Sequence, residues 1–173
     1  MPLRRSKTDT HHWKKTPPRP WHVLVVADDP DGAELMVRLL ARAGHEVSSA
    51  PAQQATLVAL TRRTVHCVVL NLSVAGSGGN LKVLDAIRTN PDDRVSGARV
   101  VLCSSGGTNR LFAWESGVDG FLASPFHVDE LIAQIQEVIE RPDTERRSHR
   151  RAERDLARDG GRRDPTRAPG VVR

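Results

Sequence analysis

One stretch of the chain, residues 66–79 with the sequence HCVVLNLSVAGSGG, restricts the fold more than any other. Its mostly apolar run from His66 to Leu70 ends at a polar residue, Asn71, and small turn residues follow. A short apolar run bounded by turn residues is typical of a strand that is buried on both faces of a parallel sheet. Open α/β sheets place ligands and chemistry at the carboxyl ends of their strands. We therefore expect Asn71 to lie at the mouth of a parallel sheet.

The rest of the chain alternates between strand-like and helix-like segments. Strands are predicted over residues 21–27, 45–50, 66–71, 99–104 and 120–123. Apolar residues at helical spacing predict helices that start near residues 30, 51, 80 and 128, the last of them stopped by Arg141 and Pro142, and a further helix that holds Leu111, Phe112 and Trp114 and ends at Gly117. Residues 90–98 are expected to form a loop. Five strands alternating with five helices predict a doubly wound α/β domain over residues 21–140, with a parallel sheet and helices on both faces.

Charge divides the chain into three parts. Residues 1–20 and residues 141–173 each carry a net charge of +5, whereas residues 21–140 carry −5. The first segment has no hydrophobic period, so we expect a disordered basic arm. The last segment is an Arg-rich tail that is expected to be disordered or partly helical, because its arginines alternate with acids at helical spacing. Its 33 residues hold too few apolar side chains to form a DNA-reading domain.

Composition also limits the compartment and the chemistry. Cys67 and Cys103 each lie inside an apolar run, which indicates buried free thiols in a reducing compartment. The chain has no run of about 18 apolar residues, so no membrane span is expected. Its basic amino-terminal segment lacks the apolar core of an export signal, and we expect a cytoplasmic protein. No pair of base and nucleophile and no cluster of metal ligands stands out, so we do not expect an enzyme.

Four segments together resemble a known family. They are VLVVADDP, VVLNLSVAGSGG, RVVLCSS and GVDGFLASPF, and Gly79, Gly117, Pro125 and Phe126 fall at the family's spacing. Over residues 21–140 the chain resembles the response-regulator receiver domain, the phosphoacceptor module of two-component signalling. The resemblance implies a flavodoxin-like sheet of order 2-1-3-4-5 and a cis bond between Ser124 and Pro125.

Two functional positions differ from the family's pattern. By the resemblance, Asn71 stands where the family has its nucleophilic aspartate, and Ser124 stands where it has a lysine. The family's acidic pair is kept as Asp28 and Asp29. Its switch hydroxyl corresponds to Ser104, and its switch aromatic residue corresponds to Phe121.

These two differences change the expected chemistry. Transfer of a phosphoryl group to a side chain needs an anionic oxygen nucleophile, which the amide of Asn71 lacks. Loss of one carboxylate also weakens a Mg²⁺ site, and Ser124 provides no ammonium group to hold a phosphoryl oxygen. The sequence therefore indicates a pseudo-receiver with no required cofactor. Asp28 and Asp29 are weak candidates for binding Mg²⁺, and a plain helix cap is the alternative explanation for this pair.

The function expected from the resemblance is signalling through protein contacts, independent of aspartyl phosphorylation. The family's output face includes the fourth and fifth strands and the helices that follow them. On this face, Arg110, Trp114, Phe121 and His127 are the candidate contact or switch positions, although Trp114 is also expected to fit a core or half-buried helix position. A homodimer could use the fourth helix and the fifth strand. Two alternatives stay open. One is a small-ligand sensor that uses the pocket around Asp28, Asp29, Asn71 and Ser104, and the other is weak, non-specific nucleic-acid binding by the basic arms.

Overall fold

Five parallel strands form a single sheet in the order β2-β1-β3-β4-β5. The strands are β1 (His22–Ala27), β2 (Glu46–Ala50), β3 (Cys67–Leu72), β4 (Val100–Ser105) and β5 (Gly120–Ser124). The computed structural model describes residues 20–51, 53–72, 79–105 and 109–162. The predicted strand order is confirmed, while residues 1–19 of the predicted basic arm lie outside the described part of the chain.

Seven helices lie within the described residues. They are α1 (Pro30–Arg42), α2 (Gln53–Arg62), α3 (Gly79–Arg88), α4 (Asp93–Ser96), α5 (Arg110–Glu115), α6 (Val128–Glu140) and α7 (Asp143–Arg162). None of them is both long and apolar enough to cross a membrane.

The two faces of the sheet carry separate hydrophobic clusters, because successive side chains of a strand point to opposite faces. On one face, α1 and α6 contribute Met36, Leu40, Leu131, Ile135 and Val138 to a cluster with β1, β3 and β4. On the other face, α2, α3 and α5 contribute Leu60, Leu84, Ile87, Ala113 and Trp114. Burial on both faces explains why the central strands are apolar along almost their whole length.

The segment 90–98, predicted to be a loop, contains the one-turn helix α4. Asp92 accepts a hydrogen bond from the backbone N–H of Arg94 at 2.9 Å and caps this turn. Val95 is fully buried in the core. The loop prediction was therefore wrong at this point, because a local cap and one apolar anchor are enough to form a single helical turn.

Two glycines end helices with a left-handed backbone. Gly44 follows α1 with φ 93°, and Gly117 follows α5 with φ 90°. A side chain at either position would be strained. The Ser124–Pro125 bond between β5 and α6 is cis, the geometry that the family resemblance implied.

The Arg-rich tail forms the 20-residue helix α7 as far as Arg162. This helix packs against α5, and Ala157 contacts the cluster on that face of the sheet. His149 meets the ring of Trp114 edge-on, with ring centroids 5.7 Å apart. The final residues, 163–173, lie outside the described part of the chain.

Candidate functional site

The register of the sheet brings the predicted site residues to its carboxyl edge. Asn71 of β3 is paired with Ala27, the last residue of β1, and Asp28 and Asp29 follow Ala27 directly. Toward the other side of the sheet, Leu72 is paired with Ser104 of β4, and Ser105 is paired with Ser124 of β5. The acidic pair, the amide and the two hydroxyls therefore lie at or next to the carboxyl ends of four adjacent strands, at one edge of the sheet.

Asp29 has a structural role at this edge. Its side chain caps α1, with Oδ2 accepting from the N–H of Gly32 at 2.9 Å and Oδ1 from the N–H of Asp31 at 3.4 Å. Pro30 at the first position of the helix fits the cap, because its missing N–H would have had no partner there. Part of the negative charge of Asp29 thus stabilises the helix amino terminus.

Asn71 borders the same turn of α1. A methyl group built on Gly32 would lie 3.0 Å from Oδ2 of Asp29 and 3.5 Å from Nδ2 of Asn71. Asp29 from the cap of α1 and Asn71 from β3 therefore both approach this glycine. The half-buried amide lies close to the acidic pair, as the sequence predicted for a strand end at this edge.

Ser104 is almost completely enclosed, with 1% of its surface exposed. Its hydroxyl accepts a hydrogen bond from Nδ2 of Asn109 at 3.1 Å. Asn109, which immediately precedes α5, was not among the predicted site residues. Its position directly before a helix would have suggested a helix cap. Its side chain makes no cap hydrogen bond, however, and reaches back to β4 instead.

The residues after β5 close the far side of this edge. Ser124 is half-buried, whereas Pro125 and His127 are exposed. The backbone N–H of His127 donates to Oε2 of Glu130 at 2.7 Å, which holds the start of α6. His127 is thus on the surface, as a contact position must be.

Few side chains at this edge could serve as ligands of a cation. Asp28 and Asp29 supply carboxylate oxygens and Asn71 supplies one amide oxygen, but both oxygens of Asp29 already accept backbone N–H groups. Within the described residues, no group of three or more His, Cys, Asp or Glu side chains is arranged to hold a metal ion. Mg²⁺ is commonly bound by one or two carboxylates together with substrate phosphates, so these residues fit it weakly.

The predicted output face is covered by α7, the chain's own helix. Arg110 pairs with Glu153 of this helix at 3.2 Å and lies 6.0 Å from the ring centroid of Phe121. Trp114 is only 5% exposed beneath α7. Trp114 therefore lies in the core, one of the two positions expected for it, and the tail packs over it. A homodimer through α5 and β5 would have to form on the same covered surface.

A buried carboxylate, Asp119, anchors α7 at this face. It precedes β5, is 2% exposed and receives hydrogen bonds from Arg88, Arg146 and Arg150 and from the N–H of Val100. Burial by itself would raise the pKa of Asp119. The hydrogen bond from Arg146 and the charges of Arg150, Arg146 and Arg88 outweigh burial, so the pKa is held below its ordinary value. The only sequence signal for this cluster is the four-residue spacing of Arg146 and Arg150, which places both on one helix face.

Comparison with known proteins identifies this architecture. Residues 23–136 match the family described as the response regulator receiver domain. A stretch of 120 residues is 29% identical to the transcriptional regulatory protein TcrA of Mycobacterium tuberculosis. That match covers 69% of this chain but 46% of TcrA, so the chain spans less than half the length of this relative.

Solved structures agree in fold. The chemotaxis response regulator CheY4 of Vibrio cholerae matches 69% of this chain and 99% of its own, with a TM-score of 0.58 and 18% identity. The receiver domain of the sensor histidine kinase PA1611 of Pseudomonas aeruginosa, solved with a magnesium ion in its active-site cleft, matches 71% of this chain and 100% of its own. Its TM-score is 0.59 and its identity is 17%. At these identities, the likeness establishes the fold alone.

Proposed function

The chain belongs to the response regulator receiver domain family, and from this premise we propose that it is an atypical receiver that signals through protein contacts without aspartyl phosphorylation. Asn71 carries this proposal. It is the second-last residue of β3 and lies beside the acidic pair, at the place where a receiver has its phosphoacceptor. Its amide cannot act as the anionic oxygen nucleophile that phosphoryl transfer requires.

The surroundings of Asn71 support the same function. Ser124, at the end of β5, has a hydroxyl where the family has a lysine, so no ammonium group from this position would hold a phosphoryl oxygen. Asp28, Asp29 and the amide oxygen of Asn71 are the residues that would hold Mg²⁺. When bound, the ion would supply positive charge at this edge. With two carboxylates, one of them engaged at a helix cap, binding is expected to be weak.

The contacts of α7 suggest how a partner is controlled. The helix covers Trp114 and pairs with Arg110, two of the residues that the family resemblance places on the output face. A partner that binds α5 and β5 must therefore displace α7 or include it in the interface. We infer that the free energy of α7 docking, and not phosphorylation, sets how readily this face is available.

Phosphorylation is tested with acetyl phosphate and Mg²⁺ on the full chain, read on a phosphate-affinity gel. A receiver that has the phosphoacceptor aspartate is the positive control. No shift is expected for this chain. An acid-sensitive shifted band that peptide mapping places at the carboxyl edge of the sheet would overturn the proposal.

Partner binding is tested by comparing the full chain with residues 21–144 as baits in a lysate from the native organism. A partner of the α5–β5 face is expected to bind the shorter bait more strongly, because Trp114 is then uncovered. Arg110→Glu in the shorter bait should weaken that capture, and Arg38→Glu, on the distant helix α1, should not. Equal capture by all of these baits would contradict the assignment of this face.

A further inference from the structure

A basic cleft lies at the amino-terminal edge of the sheet, at the opposite end from Asn71. It has a volume of about 500 Å³ and lies between α4, the start of β4 and the first turns of α7. Five arginines line it, and Asp93 and Asp143 are the two acids in its lining; the arginines are Arg94, Arg99, Arg146, Arg147 and Arg150. Cationic side chains from three different elements therefore converge on one concavity.

Three of these guanidinium groups are held in fixed positions. Arg99 donates to the carbonyl oxygen of Val138 at 3.0 Å and to Asp143 at 3.0 Å. Arg146 donates to the carbonyl oxygen of Gly97 at 2.9 Å as well as to Asp119. Arg150 donates to Asp119 at 2.7 Å. The Nη1 groups of Arg99 and Arg150 donate to no acceptor among the described residues, whereas Arg146 is fully engaged by protein acceptors. An anion entering the cleft would meet these Nη1 donors already held in place, so little side-chain entropy is lost on binding.

The cleft contains more positive than negative charge. Asp119 pairs with Arg88, Arg146 and Arg150, and Asp143 pairs with Arg99 and again with Arg146, so two carboxylates compensate four guanidinium groups. Arg88 and Arg146 are largely enclosed, and burial lowers the pKa of Arg88 to about 10 even though the charge of Asp119 opposes this. Grouped cations that are partly removed from water are stabilised by a further anion.

Among the five arginines that line the cleft, Arg147 is free to bind an anion. Its side chain is exposed at the cleft and forms no ion pair with any residue in the described part of the chain. A second cavity, of about 520 Å³, shares Arg94 and Arg99 with the first and adds Arg62 and Arg63, so the basic concavity continues toward the end of α2. A ligand with more than one anionic group could therefore use both parts.

We propose that this cleft is a binding site for a small anion that carries two or more phosphate groups. Arginine forks match phosphate oxygens in a bidentate manner, and cavities of this size hold small ligands. The site is concave and has Asp93 and Asp143 in its lining, whereas a nucleic-acid surface is a continuous basic stripe along a backbone. The geometry therefore favours a compact polyphosphate over a nucleic acid. Because the ligand would contact α4 and α7 together, it would also hold α7 on the domain.

The test is calorimetric titration of the full chain with inorganic pyrophosphate and with sodium sulfate at equal ionic strength. EDTA is present throughout, so that a cation at the acidic edge plays no part. Pyrophosphate is expected to bind at least tenfold more tightly than sulfate and to raise the melting temperature. Equal affinity for the two anions would overturn the proposal.

Two charge-matched variants locate the site. Arg147→Glu should weaken pyrophosphate binding at least tenfold, whereas Arg151→Glu, one turn further along α7 and outside the cleft lining, should weaken it less than threefold. Equal losses would indicate diffuse attraction to a basic helix and would overturn the assignment. Arg147→Gln repeats the test without charge reversal, and circular dichroism checks that each variant is folded.

A third titration, with a 12-nucleotide single-stranded DNA, separates the two sources of phosphate. Binding of the DNA that is lost on Arg147→Glu, together with no binding of pyrophosphate, would show a nucleic-acid surface and not a small-anion site. The proposal is supported if pyrophosphate binds more tightly than the DNA when both affinities are expressed per phosphate group. These outcomes are independent of whether Asn71 blocks phosphorylation.

Discussion

Arg150 Nη2 lies 2.7 Å from Oδ1 of Asp119, which ties the carboxyl-terminal helix to the residue that precedes β5. The carboxylate is enclosed, and it also accepts a hydrogen bond from the N–H of Val100 at 3.0 Å. Asp119 thus connects the start of β4, the start of β5, Arg88 of α3 and two turns of α7. The strength of this junction decides how firmly α7 covers the output face.

Replacing Asp119 is expected to lower stability strongly. Asp119→Asn keeps the shape of the side chain but leaves Arg88 and Arg150 without a carboxylate partner and Arg146 with Asp143 alone, which should cost about 3 kcal/mol in the free energy of unfolding. Urea denaturation at pH 7 measures this cost. Asp155→Asn, which removes an exposed pair with Arg154 at 3.4 Å on α7, is the control and should change the free energy by less than about 1 kcal/mol.

The effect of Asp119→Asn should depend on pH in a defined direction. Because the pKa of Asp119 is lowered on folding, its contribution is complete above its ordinary value of 3.8 and is lost as the pH falls through the lower, folded-state pKa. The difference in the free energy of unfolding between the wild-type chain and Asp119→Asn should therefore become smaller below about pH 4. A difference that stays constant down to pH 2 would contradict the ionised, arginine-bound carboxylate.

Removing residues 1–20 and 145–173 should leave a folded domain in which Trp114 is exposed to solvent. Residues 21–144 contain every strand and helices α1 to α6, so this fragment should unfold in one cooperative transition. Its stability should fall, because Asp119 loses Arg146 and Arg150. Fluorescence is read with Trp21→Phe in both chains and with Trp13→Phe added to the full-length one, so that Trp114 alone reports.

Emission from Trp114 should shift to longer wavelength in the fragment, since water replaces His149 and the rest of α7. An unchanged emission maximum would mean that α7 does not cover this side chain in solution. A fragment that melts without a cooperative transition would instead make α7 part of the folding unit and place the domain boundary beyond residue 144.

Two substitutions together should restore metal binding at the carboxyl edge. Asn71→Asp places a third carboxylate beside Asp28 and Asp29, and Ser124→Lys adds the compensating cation at the end of β5. The double variant should bind Mg²⁺ at least tenfold more tightly than the wild-type chain, as measured by calorimetry. Labelling by acetyl phosphate is the further readout.

The single variants are the controls for this pair. Asn71→Asp alone should lose stability in EDTA through repulsion among like charges, and Mg²⁺ should recover part of the loss. Ser124→Lys alone should not improve Mg²⁺ affinity. If the double variant binds Mg²⁺ no better than the wild-type chain, this edge has diverged at more than two positions.

The two cysteines should resist thiol reagents in the native protein. Burial is the main reason that the pKa of both thiols is raised, for Cys103 to about 12, so almost no thiolate is present at pH 8. An Ellman assay should detect neither thiol before unfolding and both in guanidinium chloride. Rapid reaction of either thiol in the native chain would show that the sheet opens locally.

The carboxyl edge was largely predictable from the sequence, because its residues follow apolar runs whose ends can be read directly. Asp28, Asn71, Ser104 and Ser124 were expected to converge, and the strand register brings them to one edge. The link between Asn109 and Ser104 was not predicted. It depends on where folding places Asn109 relative to the end of β4, which no local pattern in the sequence specifies.

Local patterns in the sequence were enough to predict the alternation of strands and helices, and the family resemblance predicted the strand order that the sheet has. The packing of the tail over α5 and the basic cleft at the far end of the sheet could be seen only in the folded chain. A buried apolar strand is encoded within six or seven neighbouring residues, because its own side chains must leave water. The ion pairs of Asp119 with Arg146 and Arg150 join residues 27 and 31 positions apart in the chain, and they form only after folding has brought α7 beside β5.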